Sequence, residues 1–367
     1  MTRTVYLHVG APKSGAKYVR QVLDGNRKRL ADNGVLVVGE QVVDRVHAAY
    51  QVRKDPRLKL LPESRRNLWP QLVEEIAAWD GESAILSYEL LAAATARQAA
   101  RALTDLADFD SHVVITARDL GRTVPSAWQE RLKFGFTTPL EEWEPPSVEN
   151  QRGEWGWRTT DPASVAERWG AAVRPDRVHI VTVPRSREDP TVLWHRFADA
   201  CGVGGIEVDV SPARVNESLG AVEAELLRRV NGHLRTPLDN DRELSVWIRD
   251  LLADRVLAGH GHGPLGITEE QYAEAGVRAD AAIEALADAG YVVHGDLEDL
   301  RATRPTGRMP GSVSESELLD GALETIVDLV LLLRESSETE TPPPVVTPGA
   351  RTVPGFGGRL RRLLGGR

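Results

Sequence analysis

Four short apolar runs, separated by longer stretches of helical periodicity, define the architecture that the sequence predicts. The runs are rich in β-branched residues and occupy residues 5–9, 84–86, 113–115 and 178–183. Apolar strands that alternate with amphipathic helices are typical of a parallel sheet covered by helices. The predicted fold class is therefore α/β, a parallel β-sheet flanked by helices, with a helical C-terminal region.

The same pattern divides the chain into consecutive segments. We expect an α/β core over residues 1–215, a helical continuation of that domain over 216–300, a linker and amphipathic helix over 301–334, and a disordered Pro/Gly-rich tail over 335–367. Residues 136–163 contain several prolines and little periodicity, which predicts a long lid or binding loop.

A strongly apolar helix is predicted near the C-terminus, over residues 317–334. Asp320, Glu324 and Asp328 recur every four residues and form one narrow acidic stripe, while most other positions are aliphatic. Such a helix needs a covering surface, either the body of its own chain or a partner copy in a homo-oligomer. Contact with a membrane surface, aided by the basic, leucine-rich end of the tail, is the alternative.

Composition excludes several classes of function. The 367 residues carry a net charge of −9, so nucleic acid is not expected as a partner. The single cysteine, Cys201, cannot form a disulfide within the chain, which fits a reducing compartment. We find no signal-peptide pattern and no apolar stretch long enough to cross a membrane. A cytoplasmic location is therefore expected.

The most informative local pattern follows the first apolar run. That run leads into a Gly-Ala-Pro-Lys-Ser-Gly turn at residues 10–15, and a helical pattern starts directly afterwards. A strand, a tight glycine loop and a helix N-terminus direct backbone N–H groups toward an anion. The loop is close to the pattern G-x-x-x-x-G-K-[ST], but Ala16 and Lys17 replace its last two residues. Because the hydroxyl that binds Mg²⁺ is missing, a P-loop kinase is the least favoured hypothesis.

A second candidate phosphate site follows the third apolar run. Arg118 comes shortly after that run, and Ser126 lies eight residues further on in a predicted helix that Asp119 is expected to cap. A guanidinium offers a planar pair of donors to phosphate oxygens, and a hydroxyl adds another. Because ligands bind beyond the carboxyl ends of parallel strands, we expect Lys13, Glu89 and Arg118 to converge at one edge of the sheet.

Together the two patterns resemble the donor site of bacterial carbohydrate-type sulfotransferases, which use 3′-phosphoadenosine 5′-phosphosulfate (PAPS). The resemblance covers residues 1 to about 220 and implies a P-loop-like fold that requires no metal. It implies that the first loop holds the 5′-phosphosulfate and that the second pattern holds the 3′-phosphate. The residues assigned in this way to the nucleotide are Pro12, Lys13, Ser14, Gly15, Ala16, Lys17, Arg118 and Ser126.

The resemblance also implies roles in transfer of a sulfuryl group to a hydroxyl or amine of a glycan or small molecule. Lys13 is expected to stabilise the leaving phosphate, and Glu89 either to accept the acceptor's proton or to cap the helix that follows it. His8 is an alternative base, although its place within a strand favours a packed core histidine. Trp155 and Trp157, in the irregular segment, offer flat faces that suit a sugar ring.

One departure from the family pattern leaves an alternative function open. The family usually carries Ser or Thr at the positions of Ala16 and Lys17, and those hydroxyls hold the 5′-phosphosulfate. Lys17 replaces them only as a point charge. The alternative is therefore a catalytically degenerate, sulfotransferase-like binding or scaffold protein. Residues 215–220 are expected either to cap a helix or to close over the nucleotide.

Overall fold

The predicted strands form one parallel sheet in a computed structural model of the protein. The structure describes residues 3–149, 155–186, 189, 191–211, 218–234, 237–238, 240–261 and 263–339. The strands are β1 (Thr4–His8), β2 (Val35–Val37), β3 (Ser83–Ser87), β4 (Asp110–Ala117), β5 (Val178–Thr182) and β6 (Val292–His294). They pair in the order β2-β3-β1-β4-β5-β6, and every pairing is parallel. The predicted α/β class is confirmed.

Helices flank the sheet and continue into the C-terminal region. The α-helices are α1 (Ala16–Gly25), α2 (Arg27–Asp32), α3 (Val42–Arg53), α4 (Leu68–Ala78), α5 (Ala96–Thr104), α6 (Leu120–Leu132), α7 (Trp157–Thr160), α8 (Pro162–Gly170), α9 (Val192–Ala200), α10 (Ala221–Leu234), α11 (Asp241–Glu243), α12 (Glu269–Asp288) and α13 (Glu315–Thr339). A π-helical segment, Leu244–Val256, follows α11. Capping boxes start α5 at Thr95 and α12 at Thr268, so both beginnings are encoded locally.

Alternation along the strands separates two apolar clusters. Val5 and Leu7 belong to the cluster that includes side chains of α3, α4, α5 and α8. Ile85 and Val114 belong to the cluster that includes α1 and α9. Because successive strand residues point to opposite faces, these clusters cover opposite faces of the sheet.

The strand order reverses beside β1. This strand pairs with β3 on one side and with β4 on the other. The chain leaves β1 toward β2 and β3, whereas it leaves β4 toward β5. In open parallel sheets, ligands bind beyond the carboxyl ends of the strands at such a reversal. The fold therefore places its expected binding crevice after His8 and Ala117.

The chain divides into two units that differ from the predicted consecutive segments. Unit 1 comprises Met1–Trp128, Glu144–Asn216 and Ile267–Pro305, and unit 2 comprises Gln129–Trp143, Glu217–Gly266 and Thr306–Arg367. The segment Ile267–Pro305 belongs to unit 1 because it contains β6, which pairs with β5. Unit boundaries after Asn216 and Pro305 lie close to the expected positions 215 and 300, while the predicted helical segment 216–300 is shared between the two units.

Two predicted irregular regions contain helix where the structure describes them. In the 136–163 segment, α7 begins at Trp157 and α8 at Pro162, where Asp161 accepts hydrogen bonds from Ala163 N and Ser164 N. The predicted tail begins inside α13, which ends at Thr339. Residues 150–154, 215–217 and 340–367 lie outside the described residues. None of the described helices combines the length and apolar content needed to span a membrane.

Candidate anion-binding site

The first loop is shaped by left-handed backbone conformations. Gly10, Lys13 and Gly15 have φ angles of 61°, 68° and 84°. Such angles are ordinary for glycine but cost a lysine on the order of 1 kcal/mol, and strain of this kind concentrates at functional sites. A Cβ atom at Gly15 would overlap Leu193 Cδ2. The position therefore requires glycine both for its backbone angle and for the approach of α9.

The loop leads directly into the N-terminus of α1. Gly15 is the N-cap residue, so within the described chain no side chain caps the first turn, and that turn contains no acidic residue. The first N–H groups of a helix lack partners within it and carry partial positive charge. An anion beyond Gly15 would therefore meet backbone donors together with Lys13, which is half-buried, and Lys17, which is exposed.

A buried hydrogen-bond chain supports the loop from below. Ser14 Oγ donates to Ala11 O and lies 2.6 Å from Thr116 Oγ1. Thr116 Oγ1 lies 3.2 Å from His8 Nε2, and His8 Nδ1 lies 2.8 Å from Ser87 Oγ. The Ser14 hydroxyl donates its one proton to Ala11 O, so it accepts from the hydroxyl of Thr116. Thr116 in turn accepts from His8 Nε2, and His8 Nδ1 accepts from the hydroxyl of Ser87. This arrangement assigns the neutral Nε2–H tautomer to His8.

The environment of His8 also keeps its imidazole neutral. The side chain is fully buried, and this burial, with a smaller effect of the positive charge of Arg20, lowers its pKa to about 3. Its ring also contacts Phe197 edge-on, with ring centroids 5.0 Å apart. The position is that of the expected core histidine. His8 braces the strands under the loop and is separated from solvent.

Ser14 is engaged by contacts within the protein. Its side chain is 1 % exposed, and its hydroxyl is engaged by Ala11 and Thr116. Its backbone N–H donates to Ala11 O at 3.2 Å. The Ser14 hydroxyl therefore fixes the loop against β4, and the assignment of Ser14 to the nucleotide stays a prediction.

The two candidate phosphate sites meet. Arg118 follows β4 and donates from Nη1 to the carbonyl oxygen of Lys13 at 3.0 Å. The loop is also tied to β4 by a bond from Ala11 N to Thr116 O at 3.2 Å. The guanidinium of Arg118 therefore lies against the loop that leads into the N-terminus of α1, at the reversal of strand order. This arrangement favours a ligand with more than one negative charge.

Asp119 holds the start of α6 in place beside Arg118. Its Oδ1 accepts from Gly121 N at 2.8 Å and from Arg122 N at 3.4 Å, which confirms the expected cap. Thr303 donates to the same carboxylate from both its N–H and its hydroxyl. Arg122 lies 3.6 Å from Asp119 Oδ2 and donates to Arg185 O at 3.1 Å. The buried carboxylate thus fixes the helix that follows Arg118.

The hydrogen bond of the Ser126 hydroxyl is made within α6 and does not connect it to Arg118. Ser126 lies two turns along α6, and its hydroxyl donates to the carbonyl of Arg122, four residues earlier, at 3.1 Å. This is the usual bond of a serine within a helix. Its pairing with Arg118 around a phosphate stays a prediction, which requires the hydroxyl to exchange that partner.

Glu89 lies beside the loop but is paired with a cation that the sequence analysis did not assign to the site. Arg20 Nη1 contacts Glu89 Oε2 at 2.5 Å, and the guanidinium lies 5.7 Å from the centre of the Tyr88 ring. A Cβ atom at Gly10 would come within 3.0 Å of Glu89 Cβ. Glu89 therefore reaches the expected edge of the sheet as an ion-paired carboxylate.

The two tryptophans assigned to the acceptor differ. Trp157 is 1 % exposed, its Nε1 donates to Glu274 Oε1 at 2.9 Å, and Arg278 lies 4.7 Å from its ring centre. The expectation that Trp157 stacks on a sugar is corrected, since both its ring and its N–H are used in packing. Trp155 is half-buried and remains a candidate.

The structure adds two residues that sequence reasoning missed. Thr116 was hidden in an apolar run, and Arg20 resembled any polar residue of an amphipathic helix. Helical spacing was the signal that could have identified Arg20. It lies four residues after Ala16, so the two side chains share the face of α1 nearest the loop. Within the described ranges, no group of three or more His, Cys, Asp or Glu side chains is arranged to hold a metal ion.

Comparison with models of known protein families gives no match, and comparison with curated proteins gives none either. The geometry of the site and the resemblance of its two motifs are therefore the basis for the function proposed next.

Proposed function

We propose that the protein is a PAPS-dependent sulfotransferase that acts on a hydroxyl or amine of a glycan or small molecule. The observation that carries the proposal is the 3.0 Å contact between Arg118 Nη1 and the carbonyl of Lys13. It supports a single ligand with two anionic groups, since two cationic sites from separate strand ends share one crevice. PAPS carries a 5′-phosphosulfate and a 3′-phosphate on one adenosine, which matches this requirement.

In the proposed complex, the loop and the start of α1 bind the 5′-phosphosulfate. The N–H groups after Gly15 and the Lys13 ammonium donate to it. The buried hydrogen bonds that join His8, Thr116 and Ser14 hold the loop in its conformation. Arg118 binds the 3′-phosphate and distinguishes PAPS from nucleotides without it. A planar guanidinium suits this role because it offers two parallel donors to phosphate oxygens.

The transfer step requires one bond to form as another breaks. The acceptor oxygen or nitrogen attacks the sulfur, and the bond from sulfur to the bridging phosphate oxygen breaks. Adenosine 3′,5′-bisphosphate leaves, and Lys13 stabilises the charge that develops on it. The acceptor's proton passes to Glu89, whose Oε2 is held by Arg20 at 2.5 Å. Arg20 is thus a positioning residue for the base, and Trp155 is the remaining candidate for contact with the acceptor.

Calorimetric titration with adenosine 3′,5′-bisphosphate tests the donor site directly. We expect the full chain to bind it, and Arg118→Ala to weaken binding roughly 10- to 100-fold, the loss expected for a charged hydrogen bond. Binding of 5′-AMP, which lacks the 3′-phosphate, should be weak and little affected by that substitution. Arg101→Ala, at an exposed position of α5, is the matched control.

Two results would contradict the donor assignment. One is no binding at millimolar nucleotide, and the other is equal binding by Arg118→Ala and the unaltered chain. Transfer is tested separately, with labelled PAPS and a panel of hydroxyl and amine acceptors. Glu89→Gln should abolish transfer and retain nucleotide binding, because the amide keeps the shape of the carboxylate but cannot accept the proton.

The second candidate is a binding protein with the same site and no transfer activity. It is favoured by Ala16 and Lys17, which supply no hydroxyl to the phosphosulfate, and by the pairing of Glu89 with Arg20. It shares the calorimetric result but predicts no labelled product with any acceptor. Turnover that depends on Glu89 would exclude it.

A further inference from the structure

One face of α13 is apolar and exposed. Its large side chains are between 44 % and 61 % exposed, and they are Leu319, Leu323, Ile326, Val327, Val330 and Leu331. Single exposed aliphatic residues are ordinary, but a continuous row of six along one helix is typical of an interaction surface. We call this row the outer face of α13.

The opposite side of α13 already packs within unit 2. Leu318 and Thr325 are buried there, and a Cβ atom at Gly321 would lie 3.0 Å from Val222 Cγ1 of α10. Side-chain contacts at two levels hold the helix: an ion pair of Arg308 with Glu317 at 2.5 Å, and a hydrogen bond between His260 Nε2 and Asp328 Oδ2 at 2.6 Å. The described residues of unit 2 therefore cover the inner side of the helix and leave its outer face exposed.

The spacing of the outer face is that of a helix pair. Leu319, Leu323, Ile326 and Val330 are separated by four, three and four residues. This alternation keeps a row of side chains facing a neighbouring helix and is the pattern of a coiled-coil seam. The partner that the spacing favours is therefore another α-helix of at least three turns.

The charges beside the seam select a second copy in antiparallel orientation. Asp320 and Arg334 lie on the same side of the outer face, seven residues before and after Val327. Leu323 and Val330 are placed almost symmetrically about the same point. A two-fold axis beside Val327 would thus set Leu323 against Val330 of the second copy, and Asp320 against its Arg334. The two resulting ion pairs would lie about 21 Å apart, at 1.5 Å per residue.

We propose that the protein forms a homodimer through the outer faces of two antiparallel α13 helices. Ile326 and Val327 lie at the two-fold axis, and the Asp320–Arg334 pairs close both ends. The apolar row supplies most of the affinity, because burial removes these side chains from water. The charge pairs set the orientation, since parallel packing would bring Asp320 against Asp320. The inference is independent of the sulfotransferase proposal.

Sedimentation equilibrium of the full chain tests the dimer, with circular dichroism to confirm that each variant is folded. We expect a dimer at micromolar concentration, and Ile326→Glu should make it monomeric because two carboxylates would meet at the axis. Leu60→Glu is the matched control: Leu60 is 77 % exposed in unit 1, and its substitution should leave the dimer intact.

Charge reversal tests the antiparallel register. Asp320→Arg and Arg334→Asp should each raise the dimer dissociation constant about tenfold, and the double variant should restore it. The dimer proposal would be overturned if the chain stayed monomeric up to about 100 μM, a concentration at which even a weak dimer would be populated. It would also be overturned if a folded Ile326→Glu variant still dimerised. Failure of the double variant to restore affinity would overturn the antiparallel register. Monomeric chain that sediments with anionic lipid vesicles, in a manner abolished by Ile326→Glu, would show a membrane as the partner instead.

Discussion

Lowering the pH from 7 to 5 should destabilise unit 1, because two of its buried histidines are held neutral. Burial lowers the pKa of His8 to about 3. For His179 on β5, burial together with the neighbouring His112 and His294 lowers the pKa to about 4. His179 Nε2 lies 2.8 Å from His112 Nδ1, and His179 Nδ1 lies 3.0 Å from His294 Nε2. A proton on the central ring would place a charge in a buried site, and protonation of His112 or His294 as well would bring like charges together.

The sign and size follow from proton linkage. In the unfolded chain both histidines titrate near 6.5, so below that pH the unfolded state binds more protons than the folded state, and stability falls with pH. The contribution is fully present above about pH 7 and is lost as the pH falls toward the folded values of about 3 and 4. By pH 5, His8 costs about 2 kcal/mol. His179, nearer the edge of the sheet and partly screened by solvent, costs about 1 to 2 kcal/mol. The sum is a large part of a typical folding free energy of roughly 5–15 kcal/mol.

Buried carboxylates also respond to pH, in both directions. Burial raises the pKa of Asp161 and of Glu75, and both shifts oppose the effect of the histidines because the folded state then binds protons more readily. Hydrogen bonds and ion pairs from Arg57 lower the pKa of Asp55 despite its burial, and that contribution is lost only at more acidic pH. Between pH 7 and 5, His8 and His179 therefore lower stability while Asp161 and Glu75 act against them.

Urea unfolding of the full chain at pH 5, 6 and 7, at constant ionic strength, measures the effect. The quantity compared is the slope of the unfolding free energy with pH, which remains informative even if a variant is less stable throughout. His179→Gln should reduce this slope by roughly 1 kcal/mol per pH unit, whereas His195→Gln, at an exposed position of α9, should not change it. Stability that is flat from pH 7 to 5, or an unaltered slope in His179→Gln, would refute the reasoning.

Three further predictions concern the loop and its supports. Gly15→Ala should lower the melting temperature and nucleotide affinity together, since a left-handed alanine costs about 1–2 kcal/mol and its Cβ would meet Leu193; an unchanged melting temperature would contradict the close approach of α9 to the loop. Thr116→Val should cost about 1–3 kcal/mol in urea unfolding and Thr116→Ser much less, because only the serine preserves the hydroxyl chain; equal losses would argue that packing alone matters. Asp119→Ala should cost about 1 kcal/mol or more through loss of the α6 cap. Asp119→Asn should be milder, because an amide of the same shape can keep hydrogen bonds to Thr303 and to the start of α6. No measurable loss in Asp119→Ala would show that water replaces the carboxylate.

Much of the central sheet was predictable because its strands are apolar on both faces. Residues 113–115 form the middle of β4, which extends over Asp110–Ala117, and residues 178–183 include all of β5. The edge strands β2 and β6 have three residues each, too few to show a period. The placement of β6 beside β5, which returns Ile267–Pro305 to unit 1, depends on pairing between distant residues and has no local signal.

The candidate site was predictable only in outline. Its loop could be located because Gly10 and Gly15 punctuate a strand and a helix, and Asp119 could be assigned as a cap from its position. The direction of the Ser14 hydroxyl could not be predicted, since it depends on Thr116 from a strand about a hundred residues away. The burial of Trp157 is decided in the same way by Glu274 and Arg278, which belong to α12.

The sequence by itself determined four of the six strands, the position of the candidate anion-binding loop, and a strongly apolar helix over residues 317–334 that needs a covering surface. These features depend on residue type and short-range periodicity, which act within a few residues. Only the tertiary structure decided that Arg118 meets the carbonyl of Lys13, that Arg20 engages Glu89, and which face of α13 stays exposed. The physical reason is that such contacts join side chains far apart in the chain, and their geometry is set by the packing of whole strands and helices.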